Sequence, residues 1–478
     1  MKDITFDIYT LQDDIRKALS YLNYIHPTTI QEASIPMIQK GADIFLLANT
    51  GSGKTASFAI PLLDKLDWNN PKIQCVVIVP TRELALQVQQ EMFAIARFKR
   101  LKIEAIFGGS SMESQRRRLK QRVHALVATP GRLLDHLIQA TIDLQNCEFL
   151  VFDEADEILE LGFQKQIEQL LVFVEKRKQT MMLSATLNDK VEAMLALYME
   201  HPQIIDKRMH DLKLAVEYIQ TSNKQESLLH YLSAKKMKQA LIFLNTKKEV
   251  ETLYAQIKHY SPHIAMFHGD LDQKTRTSLL KKFKRHEISY MIATNVIARG
   301  IDIDDLDCVM HYEVPLHSET FLHRSGRTAR QGNEGTTCLL VSEAEYPLLK
   351  RFKQESKYLF TQVQQRDIRG EMGEIQAFLS RDVDVLHAEA KQQVFEEEIT
   401  TLYIQAGKKD KLRAGDVVGS ICALADVVMQ DIGIIEILEH YSFVEILNHK
   451  GNMVWMQLQT HPIKAKIRKV EIRNKNEM

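Results

Sequence analysis

Short, largely apolar runs punctuate the chain, and segments of helical period fill the gaps between them. The runs lie at 44–47, 76–79, 103–107, 125–128, 149–152 and 181–183. A run without polar alternation is buried on both faces, the condition of strands in a parallel sheet covered by helices on each side. The pattern pauses between His201 and Leu214, then resumes at 241–244, 264–267, 290–293, 308–311 and 337–341. Two α/β domains in tandem are therefore expected, at 1–207 and 213–366. Residues 367–400 are charged and helical in character, a connector. From residue 401 the texture changes to short strand signals (LYIQAG, IGIIEIL, YSFVEIL and MVWMQL) around one helix expected at 414–424. This predicts a third, small α+β domain at 401–478.

A length of 478 residues suits about three domains at roughly 150 residues each. Lys plus Arg (62) balance Asp plus Glu (62), so any polyanion must be met by local patches rather than a global field. The five cysteines (75, 147, 308, 338, 422) stand far apart without a C-x-x-C, which argues against a disulfide framework or a zinc site. A reducing cytoplasm is the expected compartment. No charged start followed by an apolar run marks a secretory signal, and no apolar stretch is long enough for a membrane span.

The segment IFLLANTGSGKTASFAI joins an apolar strand, a Gly-rich turn and an apolar-periodic helix. In that context Gly51 and Gly53 let backbone N–H groups converge on phosphates, Lys54 reaches the outer phosphates, and the Thr55 hydroxyl can ligate magnesium. The strict pattern wants Gly at position 48, where this chain has Ala48. A metal bound to phosphates also needs a carboxylate at a neighbouring strand end, and FLVFDEAD supplies it. Asp153 is the expected metal partner and Glu154 the base orienting the attacking water. The bland alternative for both is an acidic helix start favoured by the helix dipole.

With these residues in place, the chain resembles DEAD-box RNA helicases. ANTGSGKT (48–55, including Thr50 and Ser52), PTRELA (80–85), Gly108-Gly109, TPGR (129–132), DEAD (153–156) and SAT (184–186) resemble the family's motifs in family order. So do Gln273 to Arg276, ATNVIARGID (293–302) and HRSGRTAR (323–330). Asn295 stands where the family usually has Asp, and Ala329 where Gly is commoner. The resemblance implies two RecA-like lobes, ATP and Mg2+ as cofactors, and Ser184, Thr186 and His323 as residues coupling hydrolysis to unwinding. It also implies Asp302 near the ribose. NYIHPTTIQ resembles the Q motif, implying adenine discrimination by Gln31, with Phe6 or Tyr24 as a stacking plane. The bland reading of Gln31 is a polar residue at a helix start.

Arg327 and Arg330 are candidate arginine fingers; their spacing suits one helical turn facing the other lobe, and such fingers are worth roughly 10³ to 10⁵ in rate. RNA contacts are expected mainly to the phosphodiester backbone, from Thr81, Arg82, Gly109, Thr129, Arg132, Gln273, Arg276 and Thr294. Residues 97–122 hold nine bases against two acids, a run that is equally well a solvated helix face. In the third domain TLYIQAG and EHYSFVEI resemble the two ribonucleoprotein strands of an RRM, with Tyr403, Tyr441 and Phe443 able to stack on unpaired bases and Lys408 and Lys409 in a basic loop. GKKDKLRAGD and DIGIIEI together look like the DbpA-type bacterial helicases. That resemblance implies a structured hairpin of large-subunit ribosomal RNA as partner and work in ribosome assembly, by a protein expected to be a monomer and not to engage membranes.

Overall fold

The computed structural model describes residues 4–49, 51–208, 213–297, 303, 306–329, 334–356, 358–364, 372–381 and 399–473. Three sheets organise them. The first holds β1 (Ile44–Leu47), β2 (Cys75–Ile78), β3 (Ile103–Ile106), β4 (Ala125–Ala128), β5 (Phe149–Phe152), β6 (Gln179–Ser184) and β7 (Gln203–Asp206). Its order is β3-β4-β2-β5-β6-β1-β7, with every pairing parallel. The second holds β8 (Leu214–Gln220), β9 (Ala240–Phe243), β10 (Ile264–Phe267), β11 (Tyr290–Ala293), β12 (Cys308–His311), β13 (Gly335–Val341) and β14 (Phe360–Gln362). Its order, β10-β11-β9-β12-β13-β8-β14, repeats the first strand for strand, so the two lobes are one fold used twice.

The strands that read as apolar runs are buried along their length, save the half-buried Met266 in β10, and hydrophobic clusters lie on both faces of each sheet. The apolar signal misses three strands: β7 and β14, edge strands with mostly exposed side chains, and β8, an inner strand whose polar and apolar residues alternate. The helix Met372–Leu379, in the stretch expected to be a connector, buries Ile375 and Leu379 in the core of the second lobe.

The third sheet is antiparallel: β15 (Thr400–Ile404), β16 (Ile432–Ile437), β17 (Ser442–Ile446) and β18 (Val470–Ile472), in the order β16-β17-β15-β18. The helices Ala414–Cys422 and Gly451–Leu458 pack on one face over Leu402, Ile404, Val444 and Ile446. This is the β-α-β-β-α-β arrangement that the RRM resemblance implies. One expectation is corrected: MVWMQL is helix, not strand. Val454 and Leu458, four residues apart, are its buried positions, and that is helical period. The fourth strand lies instead at Val470–Ile472, inside the basic tail.

Candidate nucleotide site and RNA interface

The ends of β1, β6 and β5, side by side in the first sheet, deliver the phosphate loop, Ser184 and the acidic turn to one place. Parallel sheets bind ligands outside such carboxyl ends. Gly51 and Gly53 have φ of 78° and 87°, a region that costs a side chain energy and glycine nothing. Gly53 caps the helix Lys54–Lys65, leaving that helix's first amides turned to the loop. Lys54, 6% exposed, places Nζ 2.9 Å from Glu154 Oε1. Burial pulls its pKa down, but Glu154, Asp153 and Asp156 outweigh burial and hold it above the usual lysine value. Thr50 lies outside the described residues; Thr55 sits half-buried in the helix's first turn.

Asp153 is 2% exposed, and burial together with the Glu154 charge pushes its pKa up to about 7 against the pull of Lys54. Glu154 caps the helix Ala155–Glu160 with φ 51°. A non-glycine residue held there costs roughly 1–3 kcal/mol and marks functional sites more than scaffolds. The result is a buried ammonium against three carboxylates, an anion-rich pocket that a divalent cation would relieve. Among the described residues no cluster of three or more His, Cys, Asp or Glu is arranged to hold a metal alone. The set fits Mg2+ held by Asp153, Thr55 and the phosphates it accompanies, the usual economy of nucleotide-bound magnesium.

Asp156 is a residue whose role the sequence reading does not assign. It accepts from Thr186 Oγ1 (2.8 Å) and Thr186 N (3.0 Å) and lies 3.8 Å from His323 Nε2 of the second lobe. Burial opposes its ionisation, yet His323, Lys54, Thr186 and Ser184 together hold its pKa below the usual carboxylate range. Ser184 donates to Thr186 O at 2.7 Å. The three expected coupling residues thus form one network, with Asp156 at its centre.

Gln31, 5% exposed, accepts from Thr28 N (2.9 Å) and donates from Nε2 to Gly53 O (3.3 Å). It closes a capping box at the start of the helix Thr29–Gln39 and ties that helix to the phosphate loop. A Cβ on Gly53 would stand 2.6 Å from Nε2. Each arm of the amide keeps one further bonding capacity, so the bland and the adenine-reading roles are compatible. Phe6 is buried and packs on Tyr9 in the core; Tyr24 is half-buried against the same cluster.

Of the expected RNA contacts, Thr81 caps the helix Arg82–Ile95, accepting from Leu84 N, and the Arg82 guanidinium lies against Gly109, whose φ is 83°. Thr129 precedes the helix Pro130–Ile138, and Arg132 donates inward to Ser110 O and Gln115 Oε1, both at 3.0 Å. Gln273 and Arg276 are in the seam between lobes rather than on an open surface. Glu83 of the first lobe receives Arg276 Nη2 at 2.7 Å and Gln273 Nε2 at 3.3 Å. Glu83 was missed by the sequence reading; its signal is an acid within a motif otherwise suited to phosphate. Thr294, half-buried, bonds through its backbone to Phe267. The basic run at 97–122 divides: Arg97, Lys99 and Lys102 are buried, whereas 116, 117, 118, 120 and 122 are exposed.

Arg327 is not in a helix, although the expected spacing places it on a helical turn. The helix Ser318–Ser325 ends before Arg327, which is 1% exposed in the following turn; Arg330 and Asp302 lie outside the described residues. Both departures from the family pattern have a visible setting. Asn295 Oδ1 accepts from Arg324 Nε at 2.7 Å, so the amide retains an acceptor where the acid is usual. Ala329 has φ 58°, where glycine is unstrained. In the third domain the rings of Tyr403, Tyr441 and Phe443 cluster with centroids 5.4 to 5.7 Å apart, and Lys408 and Lys409 are exposed in a short turn.

Comparison with known proteins agrees with this geometry. Residues 28–194 match the DEAD/DEAH box helicase family, 223–332 the helicase conserved C-terminal domain and 401–473 the DbpA RNA binding domain. The ATP-dependent RNA helicase DbpA of Bacillus subtilis is 37% identical over 98% of this chain and 99% of its own length. The DEAD-box ATP-dependent RNA helicase CshA of Bacillus cereus is 37% identical over 74% of this chain and 68% of its own. Among solved structures, S. cerevisiae Dbp5 bound to RNA and ADP BeF3 has a TM-score of 0.70 at 25% identity, covering 79% of this chain and all of that one. Mss116p bound to ssRNA and AMP-PNP has a TM-score of 0.69 at 26% identity, covering 80% and 83%. The chain belongs to the DEAD-box ATP-dependent RNA helicases and carries a DbpA-type RNA-binding domain.

Proposed function

We propose that RNA draws the two lobes together, that closure gates hydrolysis of Mg2+-bound ATP, and that the third domain directs the motor to structured ribosomal RNA during ribosome assembly. The observation carrying the gate is Glu83, which holds Gln273 and Arg276 of the opposite lobe. A strand lying across Thr81, Arg82, Gly109 and Thr129 on one side and Thr294 on the other has every reason to stabilise that seam. Lys54 turns from Glu154 to the outer phosphates, and the freed Glu154 carboxylate orients and deprotonates the attacking water. Asp153 and Thr55 hold the magnesium, whose chemistry when bound is to neutralise charge on the phosphates. Arg327 and Arg330 approach from the second lobe to balance charge as the γ-phosphoryl leaves. Asp156 reports the state of the site to Thr186 and His323, so that release of the phosphate loosens both lobes at once.

Two solved relatives that hold RNA with a nucleotide analogue share the fold at TM-scores near 0.7, which supports the closed arrangement. The DbpA RNA-binding match supports RNA binding by the third domain, the ribosomal target rests on the resemblance of GKKDKLRAGD and DIGIIEI to DbpA-type helicases, and the five free cysteines fit a reducing cytoplasm. We take the working form to be a monomer. The test is ATPase rate with a panel of structured and unstructured RNAs that includes ribosomal fragments. Strong stimulation by one ribosomal hairpin supports the reading, and equal stimulation by all RNAs removes the targeting role.

A further inference from the structure

The third domain meets the first lobe through charge. Lys102, 8% exposed beside the edge strand β3, places Nζ 2.6 Å from Glu436 Oε1 on the edge strand β16, and Arg100 donates to Met429 O. Lys102 also lies 3.5 Å from Glu104, which pairs with Arg118 at 3.0 Å. A chain of alternating charge therefore runs from the third domain to the helix Met112–Leu119.

The place of Glu436 in its own sheet gives this contact meaning. The strand register sets Glu436 opposite Phe443, Phe443 opposite Tyr403 and Tyr403 opposite Glu471. Cross-strand partners share a face, and this face is the one away from the helices. Its row is thus two aromatic rings flanked by two carboxylates. A carboxylate beside a stacking platform repels RNA phosphates unless a base covers it. Glu471 is covered from within the domain, by Lys469 (2.5 Å) and Arg473 (2.8 Å). Glu436 is covered from the first lobe, by Lys102.

We propose that Lys102 and Glu436 dock the third domain on the first lobe, and that docking makes the aromatic row and the basic helix Met112–Leu119 one RNA-binding surface. The half-buried Tyr403 ring takes an unpaired base, and Phe443, 6% exposed, backs it. The helix, through the exposed Arg116 and Arg117, takes phosphates of the same structured RNA. This rests on the reading of the third domain as the targeting module, and it adds where the RNA runs next.

The test is binding of a ribosomal hairpin with a single-stranded flank to full-length protein. Docking predicts that E436K and K102E each weaken binding about tenfold, and that K102E/E436K restores most of the loss, as coupled pairs do. Without docking, E436K only adds a positive charge to an RNA face and tightens binding. Tightening by E436K, or no recovery in the double variant, overturns the proposal. E436Q serves where the reversal does not fold; docking predicts weaker binding for it too, and unchanged or tighter binding counts against docking. Removing Arg116 and Arg117 by alanine should lower the slope of log affinity against log salt by about 2, and an unchanged slope overturns the phosphate assignment. Alanine at Tyr403, Lys408 and Lys409 together separates the two levels: if hairpin preference stays intact, the targeting reading itself fails, whereas lost preference with tightening by E436K sinks docking alone.

Discussion

Replacing Glu83 with alanine should open the enzyme without unfolding it. Glu83 and Arg276 are 7% and 4% exposed, with oxygen and nitrogen 2.7 Å apart. Removing one partner of a buried pair costs about 3–5 kcal/mol, because the other charge is left uncompensated. Here the cost has an escape. Under the proposed gate, Arg276 is buried only while the lobes touch and recovers water in the open form. The penalty therefore falls on the closed state, where Arg82 adds repulsion; burial and Arg82 both press the Arg276 pKa downward, with Glu83 opposing. At about 1.4 kcal/mol per tenfold, closure should become roughly a hundredfold to a few thousandfold less favourable. The assay is ATPase rate against RNA concentration. The variant should need at least a hundredfold more RNA for half-maximal rate, while its thermal unfolding stays within about 1 kcal/mol of the parent. Arg276→Ala should do the same, and the double variant should lose much less than the sum of the two. A lowered melting temperature with an unchanged RNA requirement would refute the reasoning, since it would make the pair a scaffold contact.

Glu154→Gln should keep ATP and RNA binding while hydrolysis falls about 10²- to 10⁴-fold, the usual worth of a positioned base; single-turnover measurement decides it, and near-normal turnover removes Glu154 from that role. Ala329→Gly should stabilise the second lobe slightly. The left-handed conformation costs an alanine roughly 1–2 kcal/mol and the glycine's entropy takes back about 0.5–1, so denaturant titration should read a gain of about half a kcal/mol, and a loss would contradict the strain. The first lobe should also weaken in acid through His136. Its ring is fully buried between Thr141 Oγ1 (2.7 Å) and Gln115 Oε1 (3.0 Å), and burial, aided by Arg132, lowers its pKa to about 4. A depressed histidine contributes stability above the unfolded value near 6.5 that is lost as pH falls toward about 4, at most about 3 kcal/mol here. His136→Gln should flatten that dependence in urea titrations at pH 7 and pH 4.5, and an unchanged slope would exclude His136 as its source.

The sequence exposes what is buried on both faces and hides what is not. Strands such as β5 and β9 are legible because every side chain in them is buried. The edge strands β7 and β14 are half-solvated, so their residues look like loop. MVWMQL shows how a short apolar stretch misleads: only the burial of Val454 and Leu458 on one side separates helix from strand. At the site, the residues that meet the phosphates are readable because glycine, lysine and carboxylates at fixed spacing answer to one local geometry. Glu83 and Lys102 escape that logic. Their partners lie 193 and 334 residues away in sequence, and no local pattern announces a contact that exists only when lobes or domains meet. The basic run at 97–122 is a related case, since its net charge is one number while burial divides it into pinned and exposed halves.

The most direct measurement of the central idea is the separation of the lobes themselves. Spin labels at Glu192 and Lys248, both exposed and one on each lobe, report it by pulsed electron resonance in free protein, with ATP analogue, with RNA, and with both. A single narrow distance that appears only when nucleotide and RNA are present together is the predicted result. The same distribution under all four conditions would contradict gating by closure.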